Sequence, residues 1–249
     1  MNIRQALEER KRPLVLDGGF GTMVQRYGLK EEDFRGYRYR DIPGMLLGNN
    51  EMLNLTRPDV VSEIYSAYVG AGVDILTANT FSANSISQAD YNCQHLVAEM
   101  NREAVRLARK AFADSGREGF VIATVGPTNK SLSISPDIND PACRAITFDQ
   151  LAEAYIGQME VLAQEGVDAI LLETVFDTLN AKAGICAMQE VMQRTGKDIP
   201  LMLSATVNDT AGRLLSGQTL EAFLISVSHA PLLSIGLNCS FGAGQMLPV

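Results

Sequence analysis

The sequence predicts a (β/α)8 TIM-type barrel, with about the first six strand–helix units present, on three observations. Short, near-continuous apolar runs recur along the 249 residues, as in parallel sheets covered on both faces. Periodic helical patterns with start and stop signals separate them. Two phrases, AGVDILTANTF and EGVDAILLETVF, share one order of helix end, glycine turn, strand and polar mouth, which suggests a repeated strand–helix unit.

The first run, Leu14-Val15-Leu16-Asp17, ends in Gly18-Gly19. The next four are Val73 to Thr80, Phe120 to Gly126, Val167 to Thr174 and Leu201 to Val207. The sixth, within LLSIGLNCSF, is bounded by Pro231 and Gly242. Among the helical patterns, Pro58 to Ala71 opens on a proline and stops before Gly72, the usual asymmetry of helix ends. Thr147 and Gln150 form a capping box ahead of Phe148 to Gln164, whose apolar positions recur every three or four residues. Leu179 to Arg194 and Leu220 to Ala230 follow the same pattern. Two polar, irregular segments, 27–55 and 127–146, follow strand ends and read either as lids over an active face or as elaborate surface loops. A closed barrel of this kind has eight strands. The expectation is therefore one domain, residues 1–249, incomplete at its C-terminus.

The composition is 46% hydrophobic and 20% charged, with a formal net charge of -8. This balance argues against a nucleic-acid or anionic-membrane partner. No apolar run is long enough to span a membrane, and the N-terminus carries scattered charges rather than a signal core, so a cytoplasmic location is expected. The four cysteines, Cys93, Cys143, Cys186 and Cys239, form no CxxC pair; disulfides are not expected, and any metal ligands must be gathered by the fold. Cys186 falls in a helical pattern and is expected in the core. Glu31-Glu32-Asp33 reads as solvated surface, and His95 and His229 as structural or exposed. GGFGT is not the GxGxxG dinucleotide fingerprint.

At the strand ends stand Asp17-Gly18-Gly19-Phe20, Asn79-Thr80-Phe81, Gly126-Pro127-Thr128, Glu173-Thr174 and Asn238-Cys239. In a parallel barrel these converge on the face where chemistry is placed. Two carboxylates, backbone amides and a thiolate could hold an amino acid and a soft metal, and thiolate suits zinc. Taken alone, Cys239 also fits a small buried hydrophobe.

LDGGFGTMVQ, TANTF, VGPTN, SPDINDP, LLETVFDTLNAKA, SGQTLEAF and GLNCS, in this order from about Val15 to Cys239, resemble the homocysteine-binding module of cobalamin-dependent methionine synthase. The wider homocysteine S-methyltransferase family shares several of these motifs, and Phe34-Arg35-Gly36 with SPDINDP tilts the resemblance toward the synthase. The resemblance implies a zinc-activated homocysteine thiolate that accepts a methyl group from methylcobalamin to give methionine. Cobalamin-binding and folate-binding modules of the same parent chain are then the implied partners. It implies Cys239 as a zinc ligand, Asp17 and Glu173 facing the substrate ammonium, and the Gly18 and Gly19 amides facing its carboxylate. Phe20, Thr80 and Phe81 belong to the implied substrate pocket, with Asn238 orienting the cysteine turn. The family's adjacent Cys-Cys ligand pair has no counterpart here, so the isolated chain is expected to be inactive. The alternatives are a cobalamin-free homocysteine S-methyltransferase using betaine or S-methylmethionine, or a non-catalytic fragment.

Overall fold

Alternation along one strand explains where the cavity lies. The computed structural model describes every residue except Lys11, Thr210, Pro248 and Val249. Its elements in chain order are α1 (Ile3–Glu9), α2 (Phe20–Gln25), α3 (Glu31–Arg35), α4 (Leu53–Thr56), α5 (Pro58–Ala71), β1 (Ile75–Ala78), α6 (Ser85–Ala89), α7 (Val97–Ser115), β2 (Phe120–Val125), α8 (Phe148–Gln164), β3 (Ala169–Val175), α9 (Thr178–Thr195), β4 (Leu201–Ala205), α10 (Leu220–Val227), β5 (Leu232–Leu237) and α11 (Ala243–Met246). The strands form one parallel sheet in the order β1-β2-β3-β4-β5.

All six residues of β2 are buried, and they divide by parity, because successive side chains point to opposite faces. Val121, Ala123 and Val125 join the large core shared with the helices. Phe120 and Ile122 join a smaller cluster with Ile75, Ala169 and Leu171, closed at one end by Ile3 and Ala6 of α1. Moving toward the strands' C-terminal ends, this second face turns polar through Thr77, Thr124, Glu173 and Ser204. The cavity is therefore the continuation of the small core beyond the point where apolar residues stop.

The helix signals have structural counterparts. Pro58 is the first residue of α5, and Gly72 ends it with φ 100°, a backbone region that glycine enters without a Cβ clash. Thr147 and Gln150 cap α8 reciprocally. The sequence reading did not identify α7, the longest helix described. Its N-cap, Leu96, makes no side-chain hydrogen bond, so the local start signal is missing although Met100, Ala104, Ala108 and Phe112 line a buried face.

Several expectations are corrected. The closed eight-stranded barrel is not formed among the described residues, where helices flank an open parallel sheet. The first predicted strand makes only an isolated parallel bridge, Leu16 to Ile75, supported by Asp17 N–H donating to Ile75 O at 3.0 Å. Segment 27–55 is not a detached lid. Phe34, Leu46, Met52 and Leu53 are buried in the large core, and the Arg35 guanidinium donates to the carbonyls of Ile42 and Gly44. Glu31 accepts from the Leu46 and Leu47 amides, and Asp33 pairs with Arg57 at 2.6 Å, so this acidic cluster is structural rather than merely solvated. Segment 127–146 is pinned at its base: buried Asp177 accepts from Ser133 Oγ at 2.7 Å and also caps α9 through Leu179 N–H at 2.9 Å. Cys186 lies on α9 but is exposed, not in the core, whereas Cys93 is buried. His95 and His229 are both exposed.

Candidate functional site

The C-terminal strand ends surround a cavity of about 720 Å³, within the usual range of small-molecule sites. Asp17, Gly18, Gly19, Phe20, Phe81, Glu173, Asn238 and Cys239 all line it. Thr80 does not: it is completely buried, and its hydroxyl donates to Thr124 O at 2.7 Å. Its neighbours Asn79 and Phe81 reach the cavity instead.

Asp17 and Glu173 differ in how they are held. The Asp17 carboxylate accepts from Thr77 N–H at 2.9 Å and Thr77 Oγ1 at 2.8 Å. Burial nonetheless pushes its pKa up to about 6, against the lowering effect of those bonds. Among the described residues no hydrogen-bond donor or salt-bridge partner meets the Glu173 carboxylate. Burial, reinforced by the charge of Asp17, pushes it up to about 7. Both carboxylates are thus partly desolvated, and the charge of Asp17 disfavours ionisation of Glu173.

Gly18 and Gly19 are glycines for steric reasons. A Cβ on Gly18 would lie 2.9 Å from the Tyr68 hydroxyl, and one on Gly19 would lie 2.9 Å from Thr22 Oγ1. Phe20, the first residue of α2, packs its ring on Tyr65 with centroids 5.7 Å apart. Tyr65 in turn accepts from Asn79 N–H at 2.7 Å, which connects α5 to the end of β1.

The turn after β5 is held through Asn238. Its Oδ1 accepts from Thr174 N–H at 3.1 Å and Ser204 Oγ at 2.8 Å, and its Nδ2 donates to Thr174 Oγ1 at 2.8 Å. Nδ2 also lies 3.2 Å from Cys239 Sγ. Thr174, Cys239 and Ser240 have φ of 58°, 59° and 58°. Three non-glycine residues in the left-handed region cost backbone energy that the surrounding bonds must offset.

The sequence reading missed Asn50, Glu51, Thr77 and Ser204, which also line the cavity. Asn50 and Glu51 belong to a 3-10 turn, Asn50–Met52, within a segment that carries no strand-end signal. Thr77 and Ser204 are recoverable in principle from the alternation of β1 and β4, because both fall on the face that bears Ile75 and Met202.

No cluster of three or more His, Cys, Asp or Glu side chains among the described residues is arranged to hold a metal ion. Cys239 is the only cysteine lining the cavity. One sulfur does not make the tetrahedral set that zinc prefers. Among the described residues no helix is long and apolar enough to cross a membrane.

Residues 14–249 match the sequence profile of the family described as "Homocysteine S-methyltransferase". Among solved structures, the chain is similar to the homocysteine methyltransferase MmuM from Escherichia coli in three forms. The apo form gives a TM-score of 0.66 at 18% identity, covering 97% of this chain and 77% of that one. The oxidized form gives 0.71 at 19%, covering 94% and 76%, and the metallated form gives 0.70 at 19%, covering 95% and 77%. At these identities the likeness is one of fold. The matches correct the expectation of a C-terminally cut module of a cobalamin-dependent methionine synthase. The chain aligns along nearly its whole length with about three-quarters of a homocysteine methyltransferase, rather than with a piece of a synthase. Methylcobalamin as cofactor, and cobalamin-binding and folate-binding modules as partners, are withdrawn with that expectation, because the structures that align along this chain are those of a homocysteine methyltransferase.

Proposed function

We propose, from the premise that this chain belongs to the homocysteine S-methyltransferase family, that it transfers a methyl group from a small cationic donor such as S-methylmethionine or betaine to the sulfur of homocysteine. Family membership makes it a methyltransferase-type protein. The observation that carries the finer reading is the cavity in which Asp17, Glu173 and Cys239 meet at the C-terminal strand ends.

In this reading Asp17 and Glu173 take the substrate ammonium between them. The Gly18 and Gly19 amides, on the cavity wall, receive its carboxylate. Phe20 and Phe81 give the substrate chain an apolar wall. Homocysteine sulfur attacks the methyl carbon; the bond from that carbon to the donor's sulfur or nitrogen breaks, and its electron pair stays with the donor. The thiol proton leaves to solvent. Transfer from S-methylmethionine yields two molecules of methionine, and transfer from betaine yields methionine and dimethylglycine. A thiolate and a cation become neutral products, so excluding water strengthens the attraction that draws them together.

A zinc ion in such a site would keep the homocysteine sulfur deprotonated. The described residues offer it the Cys239 sulfur, but no three His, Cys, Asp or Glu side chains among them are grouped to complete its coordination, so no step is routed through it. The test is incubation of the chain with homocysteine and each donor in cobalamin-free buffer, with methionine quantified by mass spectrometry. Methionine formation above the uncatalysed rate is expected with at least one donor; none with either would overturn the proposal.

A further inference from the structure

The cavity carries a third carboxylate that homocysteine binding does not use. Glu51 is 5% exposed and lines the cavity near the end of β1. Its position is rigid. Met52 and Leu53, which follow it, are completely buried. Asn49, two residues before it, exchanges two side-chain hydrogen bonds with buried Gln88, at 2.7 and 3.1 Å. Asn79 Nδ2 donates to Asn50 O at 2.8 Å. One carboxylate oxygen, Oε1, accepts from Ser82 N–H at 2.8 Å. Among the described residues no donor meets Oε2 and no Lys, Arg or His pairs with the charge.

A backbone amide needs only a neutral acceptor, so the Ser82 bond does not account for a carboxylate. Burying a carboxylate without a cation is costly, and perturbed, unpaired acids in clefts are candidates for ligand binding. Among the described residues the cavity lining holds three acidic side chains, Asp17, Glu51 and Glu173, and no Lys or Arg. Homocysteine brings one positive charge, matched by the Asp17–Glu173 pair, and a negative carboxylate of its own. Glu51 is held apart from that pair: its Oε1 accepts from Ser82 N–H beyond the end of β1, whereas Asp17 accepts from Thr77 on β1, and burial pushes the Glu51 carboxyl upward. The cavity volume also exceeds what one amino acid fills.

We infer that Glu51 binds the positive charge of the methyl donor, a sulfonium or quaternary ammonium compound, and so defines a donor subsite beside the homocysteine subsite. The inference rests on the methyl-transfer reading above for its choice of ligand. Glu51 acts through contact with the donor and aligns its methyl group toward the acceptor sulfur. The Ser82 bond and the buried Met52–Leu53 anchor fix the carboxylate before the donor arrives, so little ordering cost is left to binding.

The test is Glu51→Gln, which keeps an acceptor for Ser82 N–H and removes the charge. Steady-state kinetics with S-methylmethionine and homocysteine, and calorimetric titration of S-methylmethionine, are run on both proteins after thermal melts establish that both fold. The expected result is a rise of about 10- to 100-fold in KM and Kd for S-methylmethionine, the range for a lost charge-assisted bond. KM for homocysteine should stay within about twofold, since its ammonium is held elsewhere. A raised homocysteine KM with unchanged donor affinity would place Glu51 in the acceptor subsite and overturn the inference, as would no change in either. If the wild-type chain makes no methionine, titration still decides: binding that is lost in Glu51→Gln upholds the cation site while the methyl-transfer reading fails. Equal binding to both proteins, or none to either, defeats the inference.

Discussion

Thr174 and Asn238 are joined by a pair of hydrogen bonds running in opposite directions: Thr174 N–H donates to Asn238 Oδ1 at 3.1 Å, and Asn238 Nδ2 donates to Thr174 Oγ1 at 2.8 Å. The pair ties the end of β3 to the turn after β5 across the intervening strand β4, whose Ser204 hydroxyl donates to the same Oδ1. Both ends carry left-handed residues, Thr174 and Cys239. One amide side chain therefore fixes Glu173, Ser204 and Cys239 relative to one another.

Removing that side chain should be costly for both stability and binding. Asn238→Ala leaves the Thr174 amide and the Ser204 hydroxyl without their partner, and is expected to destabilise the fold by about 2–4 kcal/mol. KM for homocysteine should rise as well, because Glu173 precedes the freed Thr174. Denaturant unfolding and steady-state kinetics on the same preparation check both. A stable variant with unchanged KM would mean that the turn is held by its backbone alone, chiefly by Asn238 N–H to Ala205 O at 3.1 Å.

Glu173 gives a pH prediction with a definite sign. Its folded-state pKa is raised to about 7 from an ordinary 4.5, so the folded chain holds the proton more tightly than the unfolded chain. The stability contributed by this group is full below about pH 4.5 and is lost as pH rises through 7. Glu173→Gln removes the penalty. It should match wild type near pH 4 and be more stable near pH 8, by up to about 3 kcal/mol, while binding homocysteine more weakly. Urea midpoints measured across that range test it; a difference that does not vary with pH would remove ionisation as the cause.

Much of the frame was legible because its signals are local. The glycine stop of α5, the reciprocal cap of α8 and the apolar runs of β2 to β5 each follow from a few adjacent residues. What escaped is set by distant contacts. Leu14 to Asp17 reads as a strand, yet it shares only one bridge with β1. Glu31 reads as a surface acid until the Leu46 amide, fifteen residues along the chain, closes on it beside its helix neighbour Arg35. Asp17, Glu173 and Cys239 were readable as strand-end residues, whereas Glu51 sits on a turn whose orientation depends on packing by Met52 and Leu53. Thr80 fails for a simpler reason: it shares the parity of Leu76 and Ala78, which face the large core, whereas Thr77, Asn79 and Phe81 face the cavity.

Gly126 should be intolerant of any side chain. A Cβ there would stand 2.7 Å from the Phe81 ring, and Gly126 N–H donates to Phe81 O at 2.8 Å, so neither partner can move freely. Gly126→Ala is expected to push the ring toward the cavity and raise KM for homocysteine by about tenfold, with a stability loss of about 1–3 kcal/mol from overpacking. Gly126→Ala combined with Phe81→Leu should recover part of the stability by making room. No recovery in the double variant would show that the backbone, not the ring, rejects the methyl group.

Asp74 braces the segment that leads to Asp17 from the opposite end of the sheet. Its carboxylate accepts from Arg12 at 2.6 and 2.7 Å, from Arg10 at 2.7 Å and from Val15 N–H at 2.9 Å, which holds the short segment leading to Asp17 against β1. The Arg12 guanidinium, followed by the Val15 amide and Arg10, holds this carboxyl well below the usual carboxylate range despite burial. With a depressed folded-state pKa, its stabilising contribution is present above the ordinary 3.8 and is lost as pH falls below it. Arg12 is 57% exposed, and solvent screening reduces what the pair contributes, so Asp74→Asn should cost only about 1–3 kcal/mol at pH 7. The cost should shrink toward pH 3, where the unfolded chain's carboxyl takes up its proton while the folded one stays ionised. Loosening this segment should also raise KM for homocysteine, because Asp17 is two residues beyond Val15 and is oriented through Thr77 on β1. Unfolding at pH 3 and pH 7 separates the contributions: an equal loss at both would assign the effect to the shape of the side chain, while a smaller loss at pH 3 than at pH 7 assigns it to the charge that binds Arg10 and Arg12.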